Sequence, residues 1–340
     1  GLAAFNPESK ISARLIDRDP DAEVGADWFA RRFDHALGMR QATFDTPFYR
    51  LIHAEGDGVP GLIIDRFADA LVIQPNAAWL DLRLADLCAA AKDVTGATTV
   101  VVNATSRTRK LEGLGEYTEI VSGSLKGPIE VPMNGARYMA DLVGGQKTGL
   151  FFDQRPNHAF AAGLVKGGRV LDLFCHVGGF GLAALANGAA EVLAVDSSAA
   201  ALELAAAGAA AMDVTDRFAT RKGDAFAVLQ DLGAERFEMV VSDPPAFAPN
   251  KGALTAGLRA YERLARLAAA RVTDGGWLVL CSCSHAADPA AFLTASARGI
   301  RAAGRTAQLV HSGRAGPDHP QHPFLPENSY LKSLFFRLDV

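Results

Sequence analysis

Four acidic residues and one cysteine stand where short apolar segments of the sequence end. The acids are Asp172, Asp196, Asp224 and Asp243, and the thiol is Cys283. Carboxylates accept hydrogen bonds from ligand hydroxyl and amine groups, and a thiolate can form a covalent bond with an electrophilic carbon. Together these side chains predict a site that holds a polar cofactor and carries out nucleophilic chemistry.

The segments that precede these residues read as β-strands, and each is followed by a helical stretch rich in Ala or Leu. The strands are RVLDLF, EVLAVD, RFATRKGD, FEMVVSD and GGWLVLCSCS. Such alternation is typical of βαβ units and a mostly parallel sheet. Ligands bind beyond the carboxyl ends of these strands, where the five side chains would meet. We therefore predict a doubly wound α/β domain over 136–340, completed by a last strand at 330–338.

The amino-terminal part predicts a smaller α+β domain over 21–135. Apolar residues recur at helical spacing over 28–39 and 80–91, and strands are expected at 48–52 and 62–74. Residues 1–20 read as a strand and a turn. Because the chain starts with Gly and shows no basic-then-apolar leader, we expect a missing amino-terminal piece.

The turn after Asp172 indicates the kind of cofactor. Residues Gly178 to Gly181 (GGFG) let the backbone approach a ligand at a helix amino terminus. Asp196 could accept from two ribose hydroxyls, and Asp224 from an adenine amine. A nicotinamide dinucleotide would need G-x-G-x-x-G, which is absent, so S-adenosylmethionine is favoured. The alternative is an ordinary tight turn with acids that merely cap helices.

The end of the fifth strand suggests methyl transfer to a pyrimidine. Cys281 and Cys283 would face the same side, with Cys283 nearer the ligand edge. A thiolate there could add to carbon 6 and make carbon 5 nucleophilic, if a cation such as His285 lowered its pKa. Across the cleft, Asp243 could hold ring nitrogen 3 of a cytosine if its carboxyl is protonated or shares a proton, and carbonyls near Pro244 could accept from the exocyclic amine. The alternatives are a cysteine that is simply small and buried, and an aspartate that caps a turn.

Composition excludes several classes of protein. The 340 residues carry a net charge of −4, which argues against a strong nonspecific nucleic-acid binder. No apolar run is long enough to span a membrane, and the four cysteines lack zinc-ligand spacing, so neither a membrane segment nor a metal is expected. The absence of a disulfide framework favours the cytoplasm.

Several motifs, in order, resemble one family. They are GQKTGLFFDQR (145–155), VLDLFCHVGGFG (170–181), AVDSSAAAL (194–202), SDPPAFAPNK (242–251), SCS (282–284), DHP (318–320) and ENSYLK (327–332). Earlier matches are NPESKISARL (6–15), FYRLIHAEGDGVPGLIIDRF (48–67) and RTRKLEGL (107–114). Together they resemble the bacterial 5-methylcytosine methyltransferases of large-subunit ribosomal RNA, class I S-adenosylmethionine-dependent enzymes with an amino-terminal PUA domain.

The resemblance implies a role for each matching residue. It makes 1–20 the tail of a PUA domain and 21–135 the central domain, with ribosomal RNA as partner and a homodimer as a possible assembly. Cys283 would be the nucleophile and Asp243 would assist in the base pocket. The cofactor would be bound by Gln154, Arg155, Asp172, Phe174, Gly178, Asp196, Ser197, Asp224, Ala225 and Asp243. The RNA would be bound by Arg109, Lys147, Pro244, Phe247 and Lys332.

Two departures and two alternatives accompany this interpretation. His158 stands where the family pattern has Arg, and Pro245 occupies the position of a second cysteine in some relatives, so the base that removes the carbon-5 proton is unassigned. The same domain could instead methylate a guanine nitrogen without a thiol. A third hypothesis is a noncatalytic module that only binds RNA or a ribosome-assembly partner.

Overall fold

A computed structural model describes residues 1–145, 149–325 and 329–339. The chain divides into two compact units. The first comprises Gly1–Ile129, Ala140–Phe152 and Gly316–Asn328, and the second Glu130–Met139, Asp153–Ala315 and Ser329–Val340. We had expected domains that follow one another along the chain, but 140–152 and 316–328 belong with the amino-terminal unit.

The first unit is α+β. Its elements are β1 (Leu2–Phe5), β2 (Ala13–Asp17), α1 (Ala26–Gln41), β3 (Phe48–His53), β4 (Leu62–Phe67), β5 (Ala70–Pro75), α2 (Ala78–Asp81), α3 (Leu84–Thr95), β6 (Thr99–Ala104), α4 (Arg107–Lys110) and β7 (Tyr117–Ser122). β1 pairs with β2, and a five-stranded sheet has the order β3-β4-β5-β6-β7. The predicted strand over 62–74 is a hairpin, since Ala68 turns the chain with a φ of 54°.

The second unit contains the predicted doubly wound sheet. A hairpin of β8 (Ile129–Met133) and β9 (Ala136–Ala140) precedes α5 (Arg155–Leu164). Then follow β10 (Arg169–Leu173), α6 (Gly179–Ala186), β11 (Glu191–Asp196), α7 (Ala199–Ala211), β12 (Phe218–Lys222), α8 (Ala225–Asp231), β13 (Phe237–Ser242), α9 (Leu254–Ala269), β14 (Val272–Ser282), α10 (Pro289–Ala302), β15 (Thr306–Gly313) and β16 (Lys332–Asp339).

The strand order of this sheet is β12-β11-β10-β13-β14-β16-β15. β10 to β14 pair in parallel, while β16 runs antiparallel to both of its neighbours. The predicted mostly parallel sheet is therefore confirmed. Its strand order reverses between β10 and β13, which is where open α/β sheets bind their ligands. Within the described ranges, no helix is long and apolar enough to cross a membrane.

Alternation along β10 explains how the sheet separates its core from its site. Leu171 and Leu173 are buried in the apolar core that also contains residues of α8, α9 and α10. Asp172, between them, points to the opposite face and meets the start of α6. Successive strand residues face opposite sides, so this one strand serves both packing and ligand binding.

Candidate active site

The turn between β10 and α6 has an unusual backbone. Phe174, His176 and Gly178 have φ values of 58°, 51° and 83°. Glycine adopts such angles readily, whereas the two other residues do so at a cost of about 1–3 kcal/mol each. The sequence predicted the glycine but not its two strained neighbours. Strain of this kind concentrates at ligand-binding turns, and here it curls the backbone over the end of β10.

Asp172 lies at the base of this turn and is fully buried. Its Oδ2 accepts a hydrogen bond of 2.8 Å from the Gly181 amide, and within the described ranges Oδ1 has no partner. Burial raises the pKa of Asp172 to about 7, and the negative charges of Asp243 and Asp196 add to this effect. A buried acceptor without a donor fits a cationic ligand group, such as the ammonium of a bound amino acid moiety.

Asp196 ends β11, and two backbone amides hold its half-buried carboxylate. His176 donates to Oδ2 at 2.9 Å, and Ser198 donates to Oδ1 at 2.8 Å. Each oxygen keeps a further lone pair, so the carboxylate can still accept from a pair of ribose hydroxyls. Ser197 is exposed beside it.

Asp224 caps a helix, as the simpler interpretation predicted. Its Oδ1 accepts from the Ala227 amide at 2.9 Å, which fixes the start of α8 at the buried residue Ala225. The carboxylate is exposed at the same strand edge as Asp196. A cap occupies one oxygen, so an adenine contact by the other stays a prediction.

Gln154, at the start of α5, is hydrogen-bonded to Asp243 just after β13. Its Nε2 donates to Oδ2 of Asp243 at 2.9 Å, and its Oε1 accepts from Asn157 at 2.7 Å. Ser333 also donates to that oxygen at 3.4 Å. Because Gln154 is only 2% exposed, it serves as a buried positioning group for Asp243.

Arg155 and His158 lie on the first two turns of α5. Burial, reinforced by the Arg155 guanidinium, lowers the pKa of His158 to about 3, so its ring is neutral at physiological pH. The ring packs edge-on against Phe180 at 4.4 Å, and a Cβ on Gly179 would lie 2.7 Å from it. His158, which departs from the family pattern, therefore packs under the turn between β10 and α6.

Of the three cysteines in this unit, Cys283 is half-exposed, whereas Cys175 and Cys281 are buried. Burial raises the pKa of the Cys281 thiol well above its usual range. It raises the pKa of the Cys175 thiol in the same way. Cys283 follows directly after β14, one step nearer the ligand edge, as predicted. It is the thiol that a substrate can reach.

Lys332 lies near Cys283. Its Nζ donates to the carbonyl oxygens of Ser284 and Ala287 at 2.6 and 2.8 Å. Burial lowers the pKa of the Lys332 amine, while the Cys283 sulfur acts in the opposite direction. At 7% exposure Lys332 cannot reach an RNA phosphate, so that prediction is corrected. The sequence suggested His285 as the cation, and this stays a prediction; its exposed ring lies 5.7 Å from that of Tyr330.

Tyr261 of α9 was missed by sequence reasoning. Its buried hydroxyl lies 2.8 Å from Ser284 Oγ, accepts from Ser282 at 2.9 Å, and contacts the Phe247 amide at 3.5 Å. Ser284 in turn accepts from the Ala248 amide at 2.9 Å. The hydroxyl therefore joins the segment that contains Cys283 to the loop after Asp243. No motif marks Tyr261, since it reads as one apolar position of an amphipathic helix.

The remaining predicted RNA contacts have different outcomes. Arg109 is 1% exposed and makes a bidentate ion pair with Asp81 in the first unit, so it cannot meet a phosphate without unfolding. Lys147 lies outside the described residues. Pro244 is buried, whereas Phe247 is half-exposed, with its ring 4.9 Å from that of Tyr261. Phe247 is thus available to a substrate base.

Comparisons with known proteins agree with this geometry. Residues 76–337 match the family model described as S-adenosylmethionine-dependent methyltransferase. A protein of Tolumonas auensis named ribosomal RNA large subunit methyltransferase I is 36% identical over 98% of this chain and 86% of its own length. A protein of the same name from Shewanella denitrificans is 36% identical, over 99% and 87% respectively.

Solved structures share the fold at low sequence identity. A SAM-dependent methyltransferase from Streptococcus mutans has a TM-score of 0.85 at 19% identity and covers 99% of this chain and 88% of its own. A methyltransferase complexed with SAH has a TM-score of 0.86 at 20% identity, with the same coverage. The fold, the strand-edge acids and the extent of these matches agree, and the chain belongs to the S-adenosylmethionine-dependent methyltransferase family.

Proposed function

We propose that this protein methylates carbon 5 of a cytosine in large-subunit ribosomal RNA, with Cys283 as the nucleophile. The observation that carries the proposal is the half-buried Cys283 between Ser282, which pairs with Lys332, and Ser284, whose carbonyl accepts from the Lys332 amine, at the edge of the sheet where β13 ends before Asp243. A nitrogen methyltransferase needs no such thiol. The names of the relatives supply the class of RNA.

Cys283 performs the covalent step. Its thiolate adds to carbon 6 of the cytosine, and the electrons of the 5,6 double bond move towards carbon 5. The nearby Lys332 ammonium favours the thiolate, because an adjacent cation stabilises the charged form. When bound, S-adenosylmethionine would supply its electrophilic methyl group to carbon 5 and would be left as S-adenosylhomocysteine. A base then takes the proton from carbon 5, the double bond re-forms, and the carbon–sulfur bond breaks to return the Cys283 thiolate.

Asp243 orients the base during these steps. Gln154 holds one carboxyl oxygen, and in its protonated form the Asp243 carboxyl can donate to ring nitrogen 3 of the cytosine. The carbonyl oxygens around Pro244 can accept from the exocyclic amine, since proline fixes the backbone there. The ring of Phe247 offers an apolar surface for stacking.

Three carboxylates of the second unit would hold the cofactor. The orphaned Oδ1 of Asp172 suits the ammonium of the methionine part, and the anchored carboxylate of Asp196 suits the ribose hydroxyls. Asp224 has one oxygen left for the adenine amine. Carboxylates accept from charged and neutral donors alike, so the set fits an adenosyl amino acid.

The test uses ribosomal RNA transcribed with 5-fluorocytidine. Fluorine cannot leave carbon 5 as a cation, so the methylated intermediate stays covalently attached to Cys283. We expect a protein–RNA adduct that survives denaturing electrophoresis for the wild type and for Cys281→Ala, and none for Cys283→Ala. An adduct that persists in Cys283→Ala, or a methylated guanosine as the product from natural RNA, would overturn the proposal.

A further inference from the structure

Helices α9 and α10, which follow β13 and β14, carry concentrated positive charge. α9 and α10 contain five arginines and one acid, Glu262, which gives a formal charge of +4 in a chain of net −4. The arginines are Arg259, Arg263, Arg266, Arg298 and Arg301, and all five are exposed. Since the whole chain is acidic, its composition does not account for this surface.

Three of these arginines form a row on α9. The opposite face of the helix, which includes Leu264 and Ala268, is buried in the core. Arg259, Arg263 and Arg266 are spaced by four and three residues, so they line one face with rises of about 6 and 4.5 Å. The helix starts shortly after the Asp243 loop, and the row therefore leads outward from the edge of the sheet that holds the nucleophile.

The three arginines of the row form no ion pair among the described residues, and Glu262 is the one acid that α9 carries beside them. Across the described ranges, no carboxylate lies within ion-pair distance of Arg259, Arg263 or Arg266. The exposed Arg137 pairs with Glu130, and the half-buried Arg169 and Arg221 of the same unit pair with Glu235 and Asp231. Like charges three and four residues apart destabilise a helix by a few tenths of a kcal/mol. An anionic partner would remove that repulsion.

The helix dipole explains part of the pattern. It favours cations in the last turn, which accounts for Arg266 and Arg301. It does not account for Arg259 or Arg263 in the body of α9. The guanidinium of Arg263 lies 5.0 Å from the centre of the Phe226 ring, just after the residues predicted to hold adenine. The middle of the row thus lies beside Phe226, next to the predicted adenine contacts.

We propose that this row binds the phosphate backbone of the RNA that flanks the target nucleotide. Neighbouring phosphates of one strand can meet the arginines in turn, because exposed guanidinium groups bind phosphate with little rearrangement. The inference takes its partner class, RNA, from the proposed function, but it does not depend on which base is methylated. It also explains how an acidic protein binds a polyanion.

The test compares two triple variants with equal loss of charge. One is Arg259→Gln/Arg263→Gln/Arg266→Gln, and the control is Arg137→Gln/Arg169→Gln/Arg221→Gln from the paired arginines. Dissociation constants for unmodified large-subunit ribosomal RNA transcript are measured between about 50 and 200 mM salt. We expect the α9 variant to bind at least roughly tenfold more weakly, with a salt slope lower by about 2, since each single-strand phosphate contact contributes about 0.7.

The control variant should keep the wild-type slope, and both variants should bind S-adenosylhomocysteine as the wild type does. An α9 variant with unchanged RNA affinity and salt slope would overturn the inference. An acidic protein surface would then be the partner to test for the row. Equal weakening in both variants would also overturn it, as a nonspecific effect of charge. If the α9 variant alone binds weakly but the wild type forms no 5-methylcytosine, the row stands and the proposed reaction falls.

Discussion

Gln154 donates a hydrogen bond of 2.9 Å to the carboxylate of Asp243, although 89 residues separate them in the sequence. The bond joins the start of α5 to the residue that follows β13. Both groups are polar, and Gln154 is nearly inaccessible to solvent. The orientation of the Asp243 carboxylate is therefore set inside the protein before any ligand binds.

Replacing Gln154 with Met should reduce catalysis while leaving the fold intact. A hydrogen bond to a charged group contributes about 1.5–3 kcal/mol, so kcat/KM should fall roughly 10- to 100-fold. Steady-state methyl transfer measures this, with Gln230→Met on the exposed face of α8 as the control. Equal rates in the two variants would show that Asp243 needs no positioning by Gln154.

The raised pKa of Asp172 predicts a pH dependence of stability. The ordinary value is 3.8 and the folded value about 7, so the native state holds the proton more tightly than the unfolded state. The contribution of Asp172 to stability should be greatest below about pH 4 and fall by up to about 4 kcal/mol as the pH rises to about 7.

Asp172→Asn removes this titration at the same side-chain size. Urea unfolding of both proteins at several pH values gives the difference between their free energies of unfolding. The wild type should lose stability relative to Asp172→Asn between pH 4 and 7, and the difference should then level off. A constant difference across this range would mean that the carboxyl titrates normally.

Asp196→Ala should weaken binding of S-adenosylhomocysteine. The carboxylate is held by the amides of His176 and Ser198 and would accept ribose hydroxyls, so its loss should cost about 1–3 kcal/mol. Isothermal titration measures the change, and Asp216→Ala at an exposed site serves as the control. If the affinity is unaltered, the ribose is bound elsewhere.

The Tyr261 hydroxyl should matter for both stability and rate. Tyr261→Phe leaves the buried hydroxyls of Ser282 and Ser284 without their shared partner, which should cost about 1–3 kcal/mol. Formation of the Cys283 adduct should also slow, because the two loops are no longer joined. Tyr117→Phe in the first unit is the control and should change neither quantity. A Tyr261→Phe protein that forms the adduct at the normal rate would reduce Tyr261 to a packing residue.

Arg109 should affect folding rather than RNA binding. Arg109→Met leaves Asp81 and the Pro75 carbonyl without their partner, at a cost of about 3 kcal/mol. The neighbouring Lys110→Met should cost less than about 1 kcal/mol, because its pair with Glu116 is exposed. Unfolding curves give both values. Lower RNA affinity in a fully stable Arg109→Met protein would instead support the original prediction that Arg109 binds RNA.

The strand-edge residues could be predicted because parallel strands bring their carboxyl ends to one edge. Asp172, Asp196 and Asp243 needed no more than the order of strands and helices to be placed together. The helix cap at Asp224 was also among the alternatives, since the same residue type suits both roles. Periodicity and strand ends thus carried most of the fold and part of the site.

Residues whose roles depend on packing could not be predicted. Lys332 lies opposite Ser282 in the pairing of β14 with β16, and that register brings its amine near Cys283. Arg109 acts through Asp81, 28 residues away in sequence, and Tyr261 through Ser282, 21 residues away. A basic or aromatic residue alone does not reveal whether it faces solvent or a buried partner.

The central claim is tested most directly by the product of the reaction. Unmodified ribosomal RNA and isotopically labelled S-adenosylmethionine are incubated with wild type and Cys283→Ala, and the digested nucleosides are identified by mass spectrometry. We predict labelled 5-methylcytidine from the wild type and none from the variant. Labelled 5-methylcytidine from Cys283→Ala, or a label found on guanosine, would contradict the account.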